Sequence, residues 1–233
     1  MKKLRSASMM LFAATILLWL GQIITMFMWD GVYQASTMYI SDLGARECQV
    51  LSEATMPRVV CSPGHVFYII GMVSAGFLLL GAATLLRSVG VDRRGAASKR
   101  APIKGVITNA FALALMGIAF VLNGMVDVND GEVLHQVLFA GGCIALWVLM
   151  ARNAWAGIKY QPLLNEPSVP LLNKAQSIIT LLFLLASIAG YLLFILSPPP
   201  SSYGLFQHIA IDSGALWMLM FATVLRTKAK AEL

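Results

Sequence analysis

Six apolar stretches, each long enough to cross a bilayer, constrain the fold of this chain more than any other feature of its sequence. They span residues 9–29, 66–86, 106–126, 134–151, 175–197 and 206–225. The hydrocarbon core of a membrane is about 30 Å thick, so a spanning helix needs roughly 20 mostly apolar residues. Only 12% of the residues are charged, against about 25% in soluble domains. The sequence therefore predicts an all-α membrane protein, in which residues 1–233 form a single six-helix bundle.

The basic residues predict how this bundle is oriented. Lys and Arg concentrate in the cytoplasmic loops of membrane proteins. With the N-terminus inside, all of the 17 basic residues except Arg46 and Arg58 fall on the cytoplasmic side. Six spans then leave both termini in the cytoplasm and form three helical hairpins that point outward.

The same basic loops account for the pI of about 9.4. Loops that flank spanning helices are basic because topology and anionic headgroups favour that charge. The chain has no nucleic-acid motif and no alternation of aromatic and basic residues. We therefore expect membrane lipids as partners and no nucleic acid; protein partners stay open.

Two cysteines in the first outside loop predict a disulfide. Cys48 and Cys61 both lie between the first two spans, on the side where an oxidising compartment permits a bridge. A redox-active site is less favoured, since the pair lacks the C-x-x-C spacing. We expect the bridge to close a small outer loop.

Ionisable residues concentrate near the outer boundary of the predicted bundle. The only three histidines, His65, His135 and His208, each fall at the outer start of an even-numbered span. Asp212 lies four residues after His208, so the two share one helix face. Asp127 lies at the outer end of the third span. Ionisable groups at membrane depth are costly and mark candidate sites, so the sequence predicts a polar pocket at the outer face.

The histidines allow two interpretations. Together with the Asp212 carboxylate they supply the ligand set of a catalytic site for zinc or another divalent metal, which keeps one position open for water. Alternatively, they are interfacial side chains that extend their polar ends towards water. The sequence favours neither decisively, and no H-E-x-x-H motif is present.

The hexapeptide YISDLG, residues 39–44, raises a similar question. Ser41 and Asp42, together with Asp127, are the candidate catalytic residues, with a carboxylate as general base. However, Ser-Asp followed by Leu-Gly is also good turn chemistry, because the side-chain oxygens bond nearby amides and Gly44 tolerates unusual backbone angles. Both roles stay open from the sequence.

Four segments give the chain a family resemblance. They are YISDLG, VCSPGHVFY at the start of the second span, NGMVDVNDGEVLH between the third and fourth, and FQHIAIDSGALWML at the start of the sixth. With these segments the chain resembles an uncharacterised family of six-helix prokaryotic integral membrane proteins, the domain of unknown function 998 family. The resemblance implies a plasma-membrane location, no established reaction, and a shared outer-face pocket that includes YISDLG, His65 and His135.

The sixth span departs from that family's pattern. It often begins there with an acidic–basic pair, whereas this chain has Gln207 and His208. The departure implies that a metal site built on all three histidines is not a property of the whole family.

Three functions follow as hypotheses. The first is a metal-dependent hydrolase that acts on a lipid or lipid-linked substrate at the outer leaflet. The second is a non-enzymatic protein that binds or translocates a lipid or small amphiphile, and the third is an envelope assembly partner. Conventional secondary transport is less favoured, because the middles of the spans carry few polar groups. Stoichiometric metal distinguishes the first hypothesis from the others.

Overall fold

The computed structural model of this chain is a bundle of six α-helices. It describes residues 2–51, 57–94, 103, 105–126, 128–159, 170–196 and 202–231. The helices are α1 (Lys2–Phe27), α2 (His65–Arg94), α3 (Val106–Met125), α4 (Val128–Lys159), α5 (Lys174–Leu196) and α6 (Tyr203–Ala231). All six are long and apolar enough to span a membrane. The prediction of an all-helical, six-span chain is confirmed.

Several helices extend beyond their predicted apolar stretches. α4 begins at Val128 instead of residue 134, with a kink at Gly131, whose backbone angles are not helical. α6 continues to Ala231 instead of 225. Lys228 and Lys230 lie in the last turn of α6, where positive charge stabilises the exposed carbonyl end of a helix. Hydropathy marks only the part of a helix that suits hydrocarbon, so it misses such polar ends.

Each helix packs against the next one in the chain, and α6 packs back against α1. Small residues permit this close packing. In lipid the hydrophobic effect does not drive helices together, so their association depends on close backbone approach at small residues. Gly76 of α2 and Gly117 of α3 face each other, and a Cβ added to either would lie within 2.8 Å of the other's carbonyl oxygen. The six helices therefore form a closed ring, in which each helix contacts its two neighbours.

Polar side chains also link neighbouring helices. The Trp147 indole of α4 donates to the Ser187 hydroxyl of α5 at 2.9 Å, and Ser187 donates in turn to the Ala210 carbonyl of α6 at 2.7 Å. Asn109 of α3 and Asn153 of α4 exchange hydrogen bonds of 2.9 and 3.2 Å. These bonds satisfy polar groups that would otherwise be unpaired in an apolar interior.

Residues 28–64, called the cap, connect α1 to α2. The described part of the cap contains a short 3₁₀ helix (Ile40–Gly44) and two antiparallel strands, β1 (Gln49–Leu51) and β2 (Arg58–Val60). The predicted disulfide between Cys48 and Cys61 is confirmed, and it joins the ends of these strands. The strands were not predicted, because three-residue segments give too weak a pattern.

The cap is fastened to the helix ends beneath it. Thr25 of α1 donates to the Gly64 carbonyl at 3.0 Å. Within the cap, the Ser62 hydroxyl donates to the Leu43 carbonyl at 2.7 Å. At the start of α6, the Leu205 amide donates to the Ser36 carbonyl at 3.0 Å. The cap therefore covers one end of the bundle.

Replacing Gly190 of α5 with leucine should destabilise the bundle. An added Cβ there would lie 2.6 Å from the Ala210 backbone nitrogen of α6, so the helices would have to separate. Overpacking of this kind costs about 1–3 kcal/mol or more. We expect a lower thermal unfolding midpoint in detergent for Gly190→Leu, and little change for Ala189→Leu, whose side chain is exposed. Equal midpoints for the two variants would contradict the close α5–α6 packing.

Candidate functional site

A buried ion pair lies at the centre of the cap. The 3₁₀ helix carries Asp42, which is only 3% exposed, and β2 carries Arg58 above it. The guanidinium donates from Nε to Oδ2 at 2.8 Å and from Nη2 to Oδ1 at 2.7 Å. This two-pronged geometry is the strongest arrangement between an arginine and a carboxylate. It gives Asp42 of YISDLG a structural role that the sequence did not reveal.

Arg58 also contacts an aromatic ring and a second carboxylate. Its guanidinium carbon lies 4.2 Å from the centre of the Tyr39 ring, and its Nη1 lies 3.5 Å from Oε1 of Glu132 on α4. The Gln136 amide donates to the same Glu132 oxygen at 3.2 Å. Arg58 therefore connects the 3₁₀ helix, the strands and α4.

Burial and charge shift the titration of these groups. Burial raises the pKa of Asp42, while the hydrogen bonds and charge of Arg58 oppose that rise. Burial lowers the pKa of Arg58. Its hydrogen bonds to Asp42 and the negative charges of Asp42 and Glu132 together have the larger, opposite effect, so the pKa of Arg58 is raised. Burial raises the pKa of Tyr39 to about 12, against the opposing effect of Arg58. At neutral pH the arginine is therefore charged and the tyrosine is neutral.

A cavity lies directly below this ion pair, between the cap and the ends of the helices. We call it the polar pocket, and it contains about 410 Å³ of space free of protein atoms, part of it open to the surroundings. Its polar lining residues are Ser41, Arg58, Asn123, Glu132, His135, Gln136 and Gln207. The Gln207 carbonyl accepts a hydrogen bond of 2.7 Å from the Ile40 amide, so it also ties α6 to the cap.

A second cavity continues from the polar pocket into the bundle. We call it the apolar chamber; it contains about 600 Å³ of space free of protein atoms, again partly open. Small residues line much of it, including Ala119, Gly142 and Ala215. Its lining residues shared with the polar pocket are Tyr68, Asn123, Phe139 and Ile211. The two cavities therefore adjoin and differ in chemistry.

His135 is the one histidine that lines the polar pocket. It is 4% exposed, and its Nδ1 donates to the Val126 carbonyl at 2.7 Å, since that oxygen can only accept. Asn123 of α3 donates to the His135 carbonyl at 2.9 Å. These bonds fix the ring between α3 and α4.

The other two histidines lie elsewhere. His65 donates from Nδ1 to the Ser62 carbonyl at 2.9 Å, at the junction of the cap and α2. His208 donates from Nδ1 to Asp212 Oδ2 at 2.9 Å, which confirms that this pair shares a helix face. Trp19 of α1 donates to the other Asp212 oxygen at 2.9 Å. The His208–Asp212 pair thus belongs to the α1–α6 contact.

The three histidines lie near the starts of their spans. His65 is the first residue of α2, and His208 comes five positions after Tyr203. His135 comes four positions after Gly131, the kink at which the apolar part of α4 begins. Each histidine therefore lies within the first two turns of its span.

The predicted zinc ligands do not form one group in the described chain. Within residues 2–51, 57–94, 105–126, 128–159, 170–196 and 202–231, no three His, Cys, Asp or Glu side chains could jointly hold a metal ion. The metal site built on His65, His135, His208 and Asp212 stays a prediction.

The three candidate catalytic residues have different positions. Ser41 lines the polar pocket, and its hydroxyl makes no hydrogen bond with the described groups. Asp42 is occupied by Arg58 through both carboxylate oxygens. Asp127 lies outside the described residues. A serine nucleophile needs a hydrogen bond to a base, which Ser41 does not make within the described residues. A carboxylate paired as Asp42 is paired is a poor base.

Arg58, Glu132 and Gln207 are pocket residues that the sequence did not single out. Arg58 was read only as an exception to the topology rule, and its partner Asp42 lies 16 positions away with no periodic relation to it. A signal was present, however: an arginine in a loop that the topology rule predicts to hold few basic residues requires an explanation.

Comparison of the chain with protein-family models, curated proteins and solved structures finds no match to any of them. Membership of the domain of unknown function 998 family therefore stays a prediction that rests on the four segments. The function has to be argued from the cap and the two cavities.

Removing both partners of the Arg58–Asp42 pair should cost less stability than the sum of the two single losses. Arg58→Met leaves a buried carboxylate uncompensated, and Asp42→Leu leaves a buried guanidinium, each at about 3–5 kcal/mol. The double variant buries neither charge alone, so its thermal unfolding midpoint should fall by less than the sum of the single losses. Arg46→Met is the comparison, since it removes a cap arginine that is exposed and that donates to the Met125 carbonyl. Additive losses would contradict the pairing.

Proposed function

We propose that this chain is a multi-pass protein of the prokaryotic plasma membrane that binds a lipid or another small amphiphile. The polar part of the ligand lies in the polar pocket and its tail in the apolar chamber. The observation that carries the proposal is the adjacency of the two cavities, which share Tyr68, Asn123, Phe139 and Ile211. An amphiphile has the same division into a polar and an apolar part.

The linings of the cavities support this assignment. Small-molecule sites are mostly apolar, with a few placed polar groups. The apolar chamber has aliphatic and aromatic walls, while Arg58, Glu132 and His135 stand at its polar end. An alkyl chain in the chamber removes apolar surface from water, and the polar groups fix the orientation of the head.

We place the cap on the outer side of the membrane and both termini in the cytoplasm. Lys2, Lys3 and Arg5 begin α1, and Lys228 and Lys230 end α6, all at helix ends opposite the cap. This distribution follows the preference of basic residues for the cytoplasmic side. The Cys48–Cys61 bridge agrees, since disulfides persist in oxidising compartments.

A metal-dependent hydrolase that acts on the bound amphiphile is the second candidate. The observation that favours it is the bonding of the histidines: each donates Nδ1 to an oxygen, as metal-ligating histidines do. His135, beside Glu132 in the polar pocket, is the member closest to a bound head. Zinc there would supply a water nucleophile at neutral pH.

Filling the apolar chamber should displace the ligand's tail. The probe is a monoacylglycerol with a photoreactive diazirine in its acyl chain, added to the protein in detergent. Gly142 lines the chamber, and a leucine side chain there would occupy the space. We expect crosslinks on α4 residues of the chamber in the wild type, and a loss of at least about fivefold in Gly142→Leu, as expected for losing roughly 1 kcal/mol of burial.

Gly141→Leu is the matched control for that experiment. Gly141 is the preceding residue of the same helix and is exposed on the outside of the bundle. A Cβ added there would have no neighbouring atom within 4 Å. Its crosslinking should equal that of the wild type. Equal labelling of all three proteins, or labelling confined to the outer helix surface, would overturn the amphiphile site.

The hydrolase candidate has a separate test. Elemental mass spectrometry of protein purified without chelator should find about one zinc or similar ion per chain, as one catalytic site requires. His135→Ala should lose the metal, because His135 is the histidine that lines the polar pocket. Metal-free wild type would refute the hydrolase and leave the binding proposal intact.

A further inference from the structure

We propose that the bound amphiphile carries an amide linkage between its head and its alkyl chain, and that Gln22 recognises this amide. The inference rests on the proposed amphiphile site and specifies the chemical class of its ligand. Three observations carry it: Gln22 is buried without a hydrogen bond, it lies where the two cavities meet, and the polar groups around it include acceptors that an ester cannot satisfy.

Gln22 of α1 is an exception among the buried polar side chains of the described residues. It is only 3% exposed and lines the apolar chamber, yet neither its amide nitrogen nor its side-chain oxygen forms a hydrogen bond with a described group. Each other buried polar side chain in the described part of the chain makes at least one. An unpaired amide is costly in an apolar interior. Gln22 therefore has bonding capacity that the described fold does not use.

Gln22 lies at the cap end of the apolar chamber. Three residues further along α1, Thr25 donates to a carbonyl of the cap, and three residues of helix rise only about 4.5 Å. On the neighbouring helix, a Cβ added to Gly21 would lie 2.7 Å from the Phe67 carbonyl oxygen of α2. Gln22 is therefore level with Tyr68, which lines both cavities. An amphiphile with its head in the polar pocket and its tail in the chamber has its linkage at this level.

Two further polar groups here have no partner among the described residues. The Tyr68 hydroxyl forms no hydrogen bond. Asn123, which also lines both cavities, donates from its nitrogen to the His135 carbonyl, and its Oδ1 accepts no bond from the described groups. The site thus offers donors at Gln22 Nε2 and the Tyr68 hydroxyl, and acceptors at Gln22 Oε1 and Asn123 Oδ1.

This combination of donors and acceptors fits an amide better than an ester. An ester linkage has only acceptor oxygens, so it leaves Gln22 Oε1 and Asn123 Oδ1 unpaired. An amide linkage also donates its N–H, and a trans amide directs its N–H and C=O to opposite sides. We assign the N–H to Gln22 Oε1 and the C=O to the Tyr68 hydroxyl on the neighbouring helix. A site built to bond a donor disfavours the analogue that lacks it.

The test is competition against the photoreactive monoacylglycerol with two matched pairs of competitors. The first pair is the ethanolamide of dodecanoic acid and its ethylene glycol ester. The second pair is dodecanoyl lysophosphatidylcholine with an amide or an ester at its acyl linkage. Within each pair only the N–H is exchanged for an oxygen. We expect the amide to displace the probe about tenfold more strongly, which corresponds to roughly 1.4 kcal/mol.

The two pairs also distinguish the source of the ligand. Preference for the amide in the first pair alone assigns the site to a free acyl amide. Preference in the second pair alone assigns it to an amide-linked lipid with a headgroup.

Gln22→Leu should reduce the preference for the amide to about twofold or less, because it removes the acceptor of the N–H with little change in volume. The variant breaks no hydrogen bond of the described fold, so its thermal unfolding midpoint should not fall. Tyr68→Phe is the matched control. It removes the hydroxyl that binds the carbonyl, which amides and esters share, so it should weaken both members of a pair and keep the preference.

The two proposals fail in different ways. Equal displacement by amide and ester in both pairs would overturn the amide linkage and leave the amphiphile site standing, and this comparison needs no variant. A preference that Gln22→Leu leaves unchanged would contradict the assignment to Gln22. Labelling that no competitor reduces, and that Gly142→Leu does not change, would overturn the amphiphile site itself.

Discussion

The paired hydrogen bonds between Arg58 and Asp42 hold the cap end of this protein together. They join β2 to the 3₁₀ helix across the cap, and through Tyr39 and Glu132 they extend to the pocket wall and to α4. A buried ion pair of this kind contributes little net stability, because desolvation offsets the attraction. Its main effect is to fix the geometry of the cap, because any arrangement that separates the two residues leaves a buried charge without its partner. The wall that the cap gives to the polar pocket therefore depends on this ion pair.

Below the cap, the six helices pack as helices do in an apolar solvent. Helices satisfy their own backbone groups, and they associate through glycine contacts and side-chain hydrogen bonds more than through a hydrophobic drive. Small residues have a second consequence here. Where Ala119, Gly142 and Ala215 face inward, the ring of helices leaves space at its centre, and the apolar chamber results. The same residue class that packs Gly76 against Gly117 thus opens a cavity elsewhere.

The sequence predicted those features that depend on local composition. The six helices follow from apolar length, the Cys48–Cys61 bridge from loop placement, and the His208–Asp212 contact from helical spacing. The Arg58–Asp42 pair escaped prediction because no periodicity relates a strand residue to a 3₁₀ residue in an irregular loop. The sequence offered two interpretations of YISDLG, a turn and a catalytic motif. The structure adds a third role, the ion pair of Asp42 with Arg58, because one sequence does not show which cation lies next to an aspartate.

The central claim is that the adjoining cavities hold one amphiphile. The most direct measurement is native mass spectrometry of the intact protein released from its own membrane, at an activation energy that strips surface lipids. The account predicts a retained adduct of one amphiphile per chain. A bare chain mass under conditions that preserve the fold, or a broad ladder of mixed lipids with no dominant single adduct, would contradict it.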